Sequence, residues 1–184
     1  MKILLEVWEF IKALILAFTV QPAYDVDPKT LPMNLEQPEA PAEVPIVLTA
    51  REELLKLAKE WYGKELSPLD PVDDNVACVD SLTNLIRLKF PDFPKVYSTA
   101  NLHHELVQSV NFRGTLDAKA GNIILNVTGT GNGSIRGHCG VIGETKVYAN
   151  NSLTGLWDDY YDLKTWNARY RHKGGMMTRV YEAI

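Results

Sequence analysis

Gly-His-Cys-Gly-Val-Ile-Gly, residues 137–143, is the clearest indication of how this chain folds. Its short apolar centre is bounded by glycines, which is typical of a buried β-strand. A second strand-like run at 146–150 follows after a short turn, so the two runs predict a hairpin of 138–142 with 146–150. Apolar runs at 123–127 and 176–181 predict two more strands. The second half of the chain is therefore expected to form an antiparallel sheet.

Helical patterns precede these strands. The capping-box sequence Thr-Ala-Arg-Glu at 49–52 predicts a helix that extends to about residue 62. Cys78 opens the next apolar helical run, which Pro91 and Pro94 terminate, and residues 101–110 predict a further helix. A set of helices followed by an antiparallel sheet implies an α+β fold.

The chain before residue 49 divides into two parts. Residues 1–20 are rich in apolar side chains and place their four charged residues on one helical face, whereas 21–48 contain six of the ten prolines. The first part predicts an amphipathic helix that lies in a membrane interface or docks against a protein groove, and a secretion signal is the remaining alternative. The second part predicts an extended proline-rich linker. The folded domain is expected to cover 49–184.

Composition restricts the classes of partner. With a net charge of -4 and 23% charged residues, the chain lacks the broad positive surface that nucleic-acid binding needs. A basic segment from Asn167 to the end is expected to be a solvated face, with contact to an anionic polymer as the alternative. The two cysteines are too few for a disulfide scaffold. Strand alternation points His138 and Cys139 to opposite faces, so we expect Cys139 to fill core space rather than to bridge Cys78.

Cys78, His138 and an asparagine form a candidate nucleophilic site. A thiol at a helix N-terminus has a lowered pKa, because the helix dipole and the free backbone N–H groups favour the thiolate. An imidazole on a neighbouring strand then accepts the thiol proton, and an amide orients the imidazole. Asn150 is the first choice for that amide, and Asn151 stays open because one residue of strand register reverses the facing. The alternatives are a buried structural cysteine and asparagines that serve turn chemistry.

Other motifs do not point to a metal or a cofactor. His103 and His104 are adjacent, so they do not share a helix face, and no cluster of Cys, Asp or Glu completes a ligand set. The glycine-rich loop 129–137 lacks the lysine of a phosphate-binding loop and is expected to shape a groove beside His138. The aromatic residues after the asparagines are expected to pack in the core, with groove lining as the alternative for a subset. They are Trp157, Tyr160, Tyr161, Trp166 and Tyr170.

Residues 75–181 resemble the NlpC-type and CHAP-type cell-wall cysteine hydrolases of the papain-like group, with the closest likeness to small phage-borne versions. The resemblance is carried by Ala-Cys-Val-Asp-Ser-Leu (77–82), Tyr-Ser-Thr-Ala-Asn-Leu (97–102), Gly-Asn-Ile-Ile (121–124), the glycine-rich run 129–143 and Asn-Asn-Ser-Leu-Thr-Gly-Leu-Trp (150–157). It implies a papain-like fold in which a cysteine-bearing helix packs on a small antiparallel sheet. It also implies cleavage of an amide bond in peptidoglycan by Cys78 and His138, without a cofactor or a metal.

The same resemblance implies where the substrate lies. The expected groove residues are Ser98, Thr99, Asn122, Gly137 and Trp157. Two positions depart from the family pattern, since relatives usually carry Gly-Asp where this chain has Gly121-Asn122, and valine or alanine in place of Cys139. The first departure bears on substrate hydrogen bonding and the second on packing.

The leading hypothesis is a peptidoglycan peptidase or amidase that is membrane-associated or exported to the cell wall, with a phage origin as one option. A catalytically inactive wall-binding or structural module on the same fold is the alternative. A weaker alternative is an acyl or lipid transferase, to which residues 1–20 would present membrane lipid.

Overall fold

The computed structural model describes residues 47–67 and 76–184. Three helices come first in this described part of the chain. The strands follow them, and a short helix precedes the last strand. The elements are α1 (Ala50–Glu60), α2 (Ala77–Lys89), α3 (Thr99–Gln108), β1 (Phe112–Thr115), β2 (Ile123–Asn126), β3 (His138–Ile142), β4 (Val147–Asn150), β5 (Trp157–Tyr161), α4 (Leu163–Trp166) and β6 (Thr178–Ala183). A π-helical segment, Asn167–Lys173, follows α4 directly.

The strands of the described chain form one sheet in the order β1-β6-β2-β3-β4-β5, and every neighbouring pair is antiparallel. The predicted hairpin is confirmed as β3 paired with β4, where Val141 lies opposite Tyr148. β6 returns from the end of the chain to lie between β1 and β2. The structure is therefore a mixed α+β fold with an antiparallel sheet, as the order of the sequence patterns predicts.

Capping side chains set where two helices begin. The Thr49 hydroxyl accepts a hydrogen bond from the Glu52 N–H at 3.3 Å, and the Glu52 carboxylate accepts one from the Thr49 N–H at 2.9 Å. This reciprocal pair confirms the predicted capping box of α1. α3 begins at Thr99, two residues before its predicted start, because the Ser98 hydroxyl caps it by accepting from the Asn101 N–H at 3.0 Å.

The strand predictions differ from the structure at five strands. The sequence patterns predict neither β1 nor β5, since β1 is four residues long with a glycine inside it and the sequence of β5 indicates only an aromatic cluster. β6 starts at Thr178 instead of residue 176, because the Met176 N–H bonds the Tyr170 carbonyl at 3.1 Å and closes the turn that precedes the strand. The predicted strands 123–127 and 146–150 are each one residue shorter.

Strand alternation divides the sheet into two faces with separate hydrophobic clusters. The first face packs against α1, α2 and α3, and buries residues such as Leu125 and Val141 against Leu82. The second face buries Ile142 against Trp166 and the π-helical segment. The sheet is thus the middle layer of the described chain, and side chains can approach its β3–β4 end from either face.

The predicted N-terminal helix (1–20) and the predicted linker as far as residue 46 lie outside the described residues, so both stay predictions. Within residues 47–67 and 76–184, no helix combines the length and the apolar character that crossing a bilayer requires.

Candidate active site

Cys78 lies in the first turn of α2, and only 6% of its surface is exposed. The helix starts without a side-chain cap, because Val76 at the N-cap position has no polar side chain. Val79 and Leu82 are buried and hold the helix against the first face of the sheet. The thiol is therefore held at the N-terminal end of a helix that the hydrophobic core fixes in place.

His138 is the first residue of β3 and belongs to the second face of the sheet. Its ring stacks on Trp166, with centroids 5.2 Å apart and planes inclined by 22°, and lies 5.5 Å from the ring of Tyr170. The Trp166 indole N–H donates to the Asn126 side-chain oxygen at 2.6 Å, and Asn126 pairs with His138 across the sheet. Aromatic packing from the second face therefore sets the orientation of the imidazole.

The thiol of Cys78 is strongly acidified. A hydrogen bond with the Cys139 thiol is the largest factor that holds the pKa of Cys78 well below its ordinary value. The charge of His138, a hydrogen bond with its imidazole and the Val79 N–H lower that pKa further, while burial opposes them. Cys78 and His138, which are sixty positions apart in the chain, are thus brought into hydrogen-bonding contact.

Cys139 lies beside the candidate nucleophile, a contact that the sequence did not reveal. It is fully buried, as expected for a core residue, and its sulfur lies 3.3 Å from the Cys78 carbonyl oxygen. Burial, followed by the hydrogen bond and charge of Cys78, raises the pKa of Cys139 well above its ordinary value, so Cys139 remains a thiol. Both cysteines are free. Cys139 and His138 point to opposite faces of β3, as strand alternation predicts. Cys78 at the start of α2 nevertheless contacts both side chains.

The two candidate asparagines have different surroundings. Asn150, the last residue of β4, is 2% exposed, and its side-chain oxygen accepts from the Ser81 hydroxyl at 3.1 Å. Ser81 is three residues after Cys78, on the same side of α2. Asn151 instead shapes a turn, where its side chain donates to Asp158 at 2.8 Å and accepts from the Leu153 N–H at 3.0 Å. Asn150 lines the cavity that contains Cys78 and His138, whereas Asn151 does not.

Cys78, His138 and Asn150 line a single open cavity of about 500 Å³. The glycine-rich loop, the turn after β4 and the π-helical segment supply the remaining walls. Those walls comprise Ser134, Ile135, Arg136, Gly137, Ser152, Leu153, Arg169 and Tyr170. A thiol, an imidazole and an amide therefore face a space large enough for a short stretch of peptide.

Of the five expected groove residues, Gly137 lines the cavity. Its N–H donates to the Thr128 hydroxyl at 2.9 Å, and an added Cβ would lie 2.3 Å from the Asn126 carbonyl, so only glycine allows this approach of the two strands. Thr99 is outside the cavity lining but supports the same loop, because its hydroxyl lies 3.0 Å from that of Thr128. Ser98 caps α3 and does not line the cavity.

Two expected groove residues lie elsewhere. Trp157 is completely buried in the first cluster, where its indole N–H donates to the Ala58 carbonyl at 3.1 Å. Its size and apolar character place it in the core rather than in a groove. Asn122 precedes β2 at the end of the strand opposite to Asn126, and its amide donates to the Asp117 carbonyl at 2.8 Å. Neither Trp157 nor Asn122 lines the cavity that contains Cys78.

Asp80, two residues after Cys78, is a buried carboxylate that the sequence reading did not single out. It accepts from the Ser67 hydroxyl at 2.7 Å and the Asn84 amide at 3.3 Å, and it pairs with Lys95 at 3.1 Å. These contacts tie the chain on both sides of α2 to the helix that carries the thiol. A charged residue inside an otherwise apolar helical run was the available signal.

The histidine pair of α3 has a structural contact. His103 hydrogen-bonds through Nδ1 to the hydroxyl of Tyr181 on β6. Burial, followed by the charges of Arg179 and His104, lowers the pKa of His103. Among the described residues, no group of three or more His, Cys, Asp or Glu side chains is arranged to hold a metal ion.

No protein-family model matches this sequence, and no curated protein sequence matches it. Among solved structures, the chain is similar to a chain of the type VI native effector–immunity complex Tae3–Tai3 from Ralstonia pickettii. That similarity has 11% sequence identity and a TM-score of 0.47, and it covers 74% of this chain and 100% of the other.

Proposed function

We propose that this protein is a cysteine-dependent amide hydrolase that acts on bacterial peptidoglycan, with Cys78 as nucleophile and His138 as general base and acid. The observation that carries the proposal is the contact between an acidified thiol at a helix start and an imidazole, both of which line one open cavity. The peptidoglycan substrate rests on the resemblance of residues 75–181 to papain-like cell-wall hydrolases.

The reaction follows from these positions. The Cys78 thiolate attacks the amide carbonyl, and the backbone N–H of Cys78 in the first turn of α2 contributes to stabilising the oxyanion. The protonated imidazole of His138 then donates its proton to the leaving amine, which departs and leaves a thioester on Cys78. His138 next removes a proton from water as the water oxygen attacks the thioester carbonyl. The carbon–sulfur bond then breaks, the acid product leaves, and the Cys78 thiolate is restored beside the protonated imidazole.

Asn150 is the proposed positioning residue for His138. Its burial and the hydrogen bond from Ser81 hold the side-chain amide at the end of β4, on the strand adjacent to the one that carries the imidazole. A fixed amide favours one imidazole tautomer and reduces the rotational freedom of the ring. Stacking of His138 on Trp166 restrains the same ring from the second face.

The test is digestion of purified peptidoglycan by the full chain, with products identified by mass spectrometry. Cys78→Ala and Cys139→Ala form a matched pair, since each replaces a buried cysteine by alanine and only the first removes the nucleophile. We expect new amine ends with the wild type, none with Cys78→Ala, and retained cleavage with Cys139→Ala at alkaline pH.

Two outcomes would overturn the proposal. One is equal product release by the wild type and Cys78→Ala. The other is the absence of release from several wall types together with slow alkylation of Cys78 by iodoacetamide at neutral pH. The second outcome would instead support the inactive wall-binding module, because a binding module has no need for an acidified thiol.

A further inference from the structure

Two arginines line the cavity that contains Cys78, and the proposed hydrolysis assigns no role to either. Arg136 comes from the glycine-rich loop and Arg169 from the π-helical segment. Neither forms an ion pair with a carboxylate of the described chain, whereas Arg113 pairs with Glu182 and Arg51 with Glu52. The cavity therefore contains two guanidinium groups whose charge the described residues do not neutralise.

The charge of this cavity is opposite to that of the whole chain. The described residues that line it include two arginines and a histidine but no aspartate or glutamate, while the chain carries a net charge of -4. The positive lining is thus a local feature and not the consequence of a basic protein. A concave site lined by one sign of charge attracts ligands of the other sign.

Arg169 is held in place by aromatic rings. Its guanidinium carbon lies 5.9 Å from the ring centroid of Tyr161 and 5.8 Å from that of Tyr170. Tyr170 in turn lies 5.5 Å from the His138 ring, so the guanidinium is connected to the imidazole through one side chain. The guanidinium also hydrogen-bonds the Tyr170 side chain, and because a guanidinium has five N–H donors, others remain for a carboxylate.

The backbone next to Arg136 is held in place by the contacts of Gly137. Arg136 precedes Gly137, whose N–H donates to the Thr128 hydroxyl and where an added Cβ would lie 2.3 Å from the Asn126 carbonyl oxygen. Arg136 is also two residues from His138 in the chain. The backbone that carries Arg136 is therefore fixed close to the reacting residues, while its exposed side chain lines the cavity.

We propose that Arg136 and Arg169 form a carboxylate-binding subsite, so that the substrate is an acidic peptide with a free carboxylate close to the amide that is cut. A carboxylate is the preferred partner, because it accepts two parallel hydrogen bonds from a guanidinium. The apolar side chains of Ile135 and Leu153 suit the remainder of a short peptide. This inference rests on the proposed function and defines its substrate class.

The experiment compares two synthetic peptides that differ only in the group beside the scissile amide, a free carboxylate in one and a carboxamide in the other. We expect the wild type to favour the carboxylate peptide by about tenfold or more in kcat/KM, mainly through KM, as one charge-assisted hydrogen bond would give. Arg136→Gln and Arg169→Gln should reduce this preference. Arg171→Gln, which changes the same charge on the same π-helical segment but lies outside the cavity lining, should preserve it.

A binding measurement distinguishes failure of this inference from failure of the proposed function. Cys78→Ala is titrated with both peptides by NMR, which needs no turnover, and the two arginine substitutions are then combined with it. Tighter binding of the carboxylate peptide that depends on Arg136 and Arg169 would support the subsite even if the chain hydrolyses nothing. Equal binding of the two peptides, or a carboxylate preference that survives both substitutions, would overturn it.

Discussion

Among single residues, Cys139 has the largest effect on the chemistry of Cys78. Its thiol supplies the leading contribution that lowers the pKa of Cys78, ahead of His138. The sequence indicates only that Cys139 is a small residue in a buried strand, because contact with α2 depends on how the helix crosses the sheet. The sequence predicts Cys78, His138 and Asn150 as site residues, but it does not indicate the partner that lowers the pKa of Cys78.

The pH dependence of Cys78 alkylation tests whether Cys139 lowers the pKa of Cys78. Because the thiolate is the reactive form, a lowered pKa lets the reaction of Cys78 with iodoacetamide reach its maximum rate at lower pH. We expect the wild-type midpoint to lie well below about 8.5, the value of an ordinary thiol. In Cys139→Ala the midpoint should move up toward that value, since the main hydrogen bond is lost.

Mass spectrometry of the Cys78 peptide between about pH 5 and pH 10 measures these rates without interference from Cys139. A midpoint in Cys139→Ala that is equal to or lower than that of the wild type would show that Cys139 does not lower the pKa of Cys78. The His138→Gln variant is a further comparison, and it should raise the midpoint by removing the second contribution.

At the level of elements, the β3–β4 hairpin places His138 and Asn150 at the same end of the sheet. Its backbones approach closely at Gly140, where an added Cβ would lie 2.3 Å from the Tyr148 carbonyl and 2.9 Å from a Val147 methyl group. The hairpin could be predicted from the glycine-bounded pattern. The sequence does not show that position 140 requires glycine, because this requirement depends on the distance between two strands.

Gly140→Ala should therefore lower the free energy of unfolding by roughly 1–3 kcal/mol, the usual cost of overpacking. Gly114→Ala is the matched control, since Gly114 also lies in a strand but has no atom within 4 Å of an added Cβ. It should change stability by less than about 0.5 kcal/mol. Urea unfolding of both variants measures the difference, and equal stabilities would contradict the close approach at Gly140.

For the molecule as a whole, the candidate active site combines side chains that arrive from both faces of the sheet. Cys78 belongs to the cluster on the first face, and His138 is held by the aromatic residues of the second. Trp166 therefore has two roles, since it is fully buried in the second cluster and stacks on the imidazole. Sequence reasoning placed it in an aromatic group without indicating which ring would contact His138.

Trp166→Ala should destabilise the protein by about 3–5 kcal/mol, as expected for removal of a large buried ring. Where it still folds, its kcat should fall by about tenfold or more, because the imidazole loses its stacking partner. Trp166→Phe keeps a ring against His138 and loses only the hydrogen bond to Asn126, so its kcat should fall less. Urea unfolding followed by kinetics below the transition separates the two effects, and equal kcat values in both variants would exclude a positioning role.

The local features of this protein can be predicted from its sequence alone. The capping box of α1, the glycine-bounded strand of β3 and the helix that begins at Cys78 depend on residues close together in the chain, so their patterns are readable without a structure. The order of these elements also implies the α+β class.

Which distant residues meet depends on the tertiary structure. The contact of Cys78 with both Cys139 and His138, the hydrogen bond of Asn150 with Ser81 and the burial of Trp157 depend on helix–sheet packing across long stretches of chain. The presence of Arg136 and Arg169 in the lining of one cavity has the same origin, because their two segments come together only when the sheet is complete. Side-chain periodicity specifies the face of an element, but the packing of that face against another element determines its neighbours.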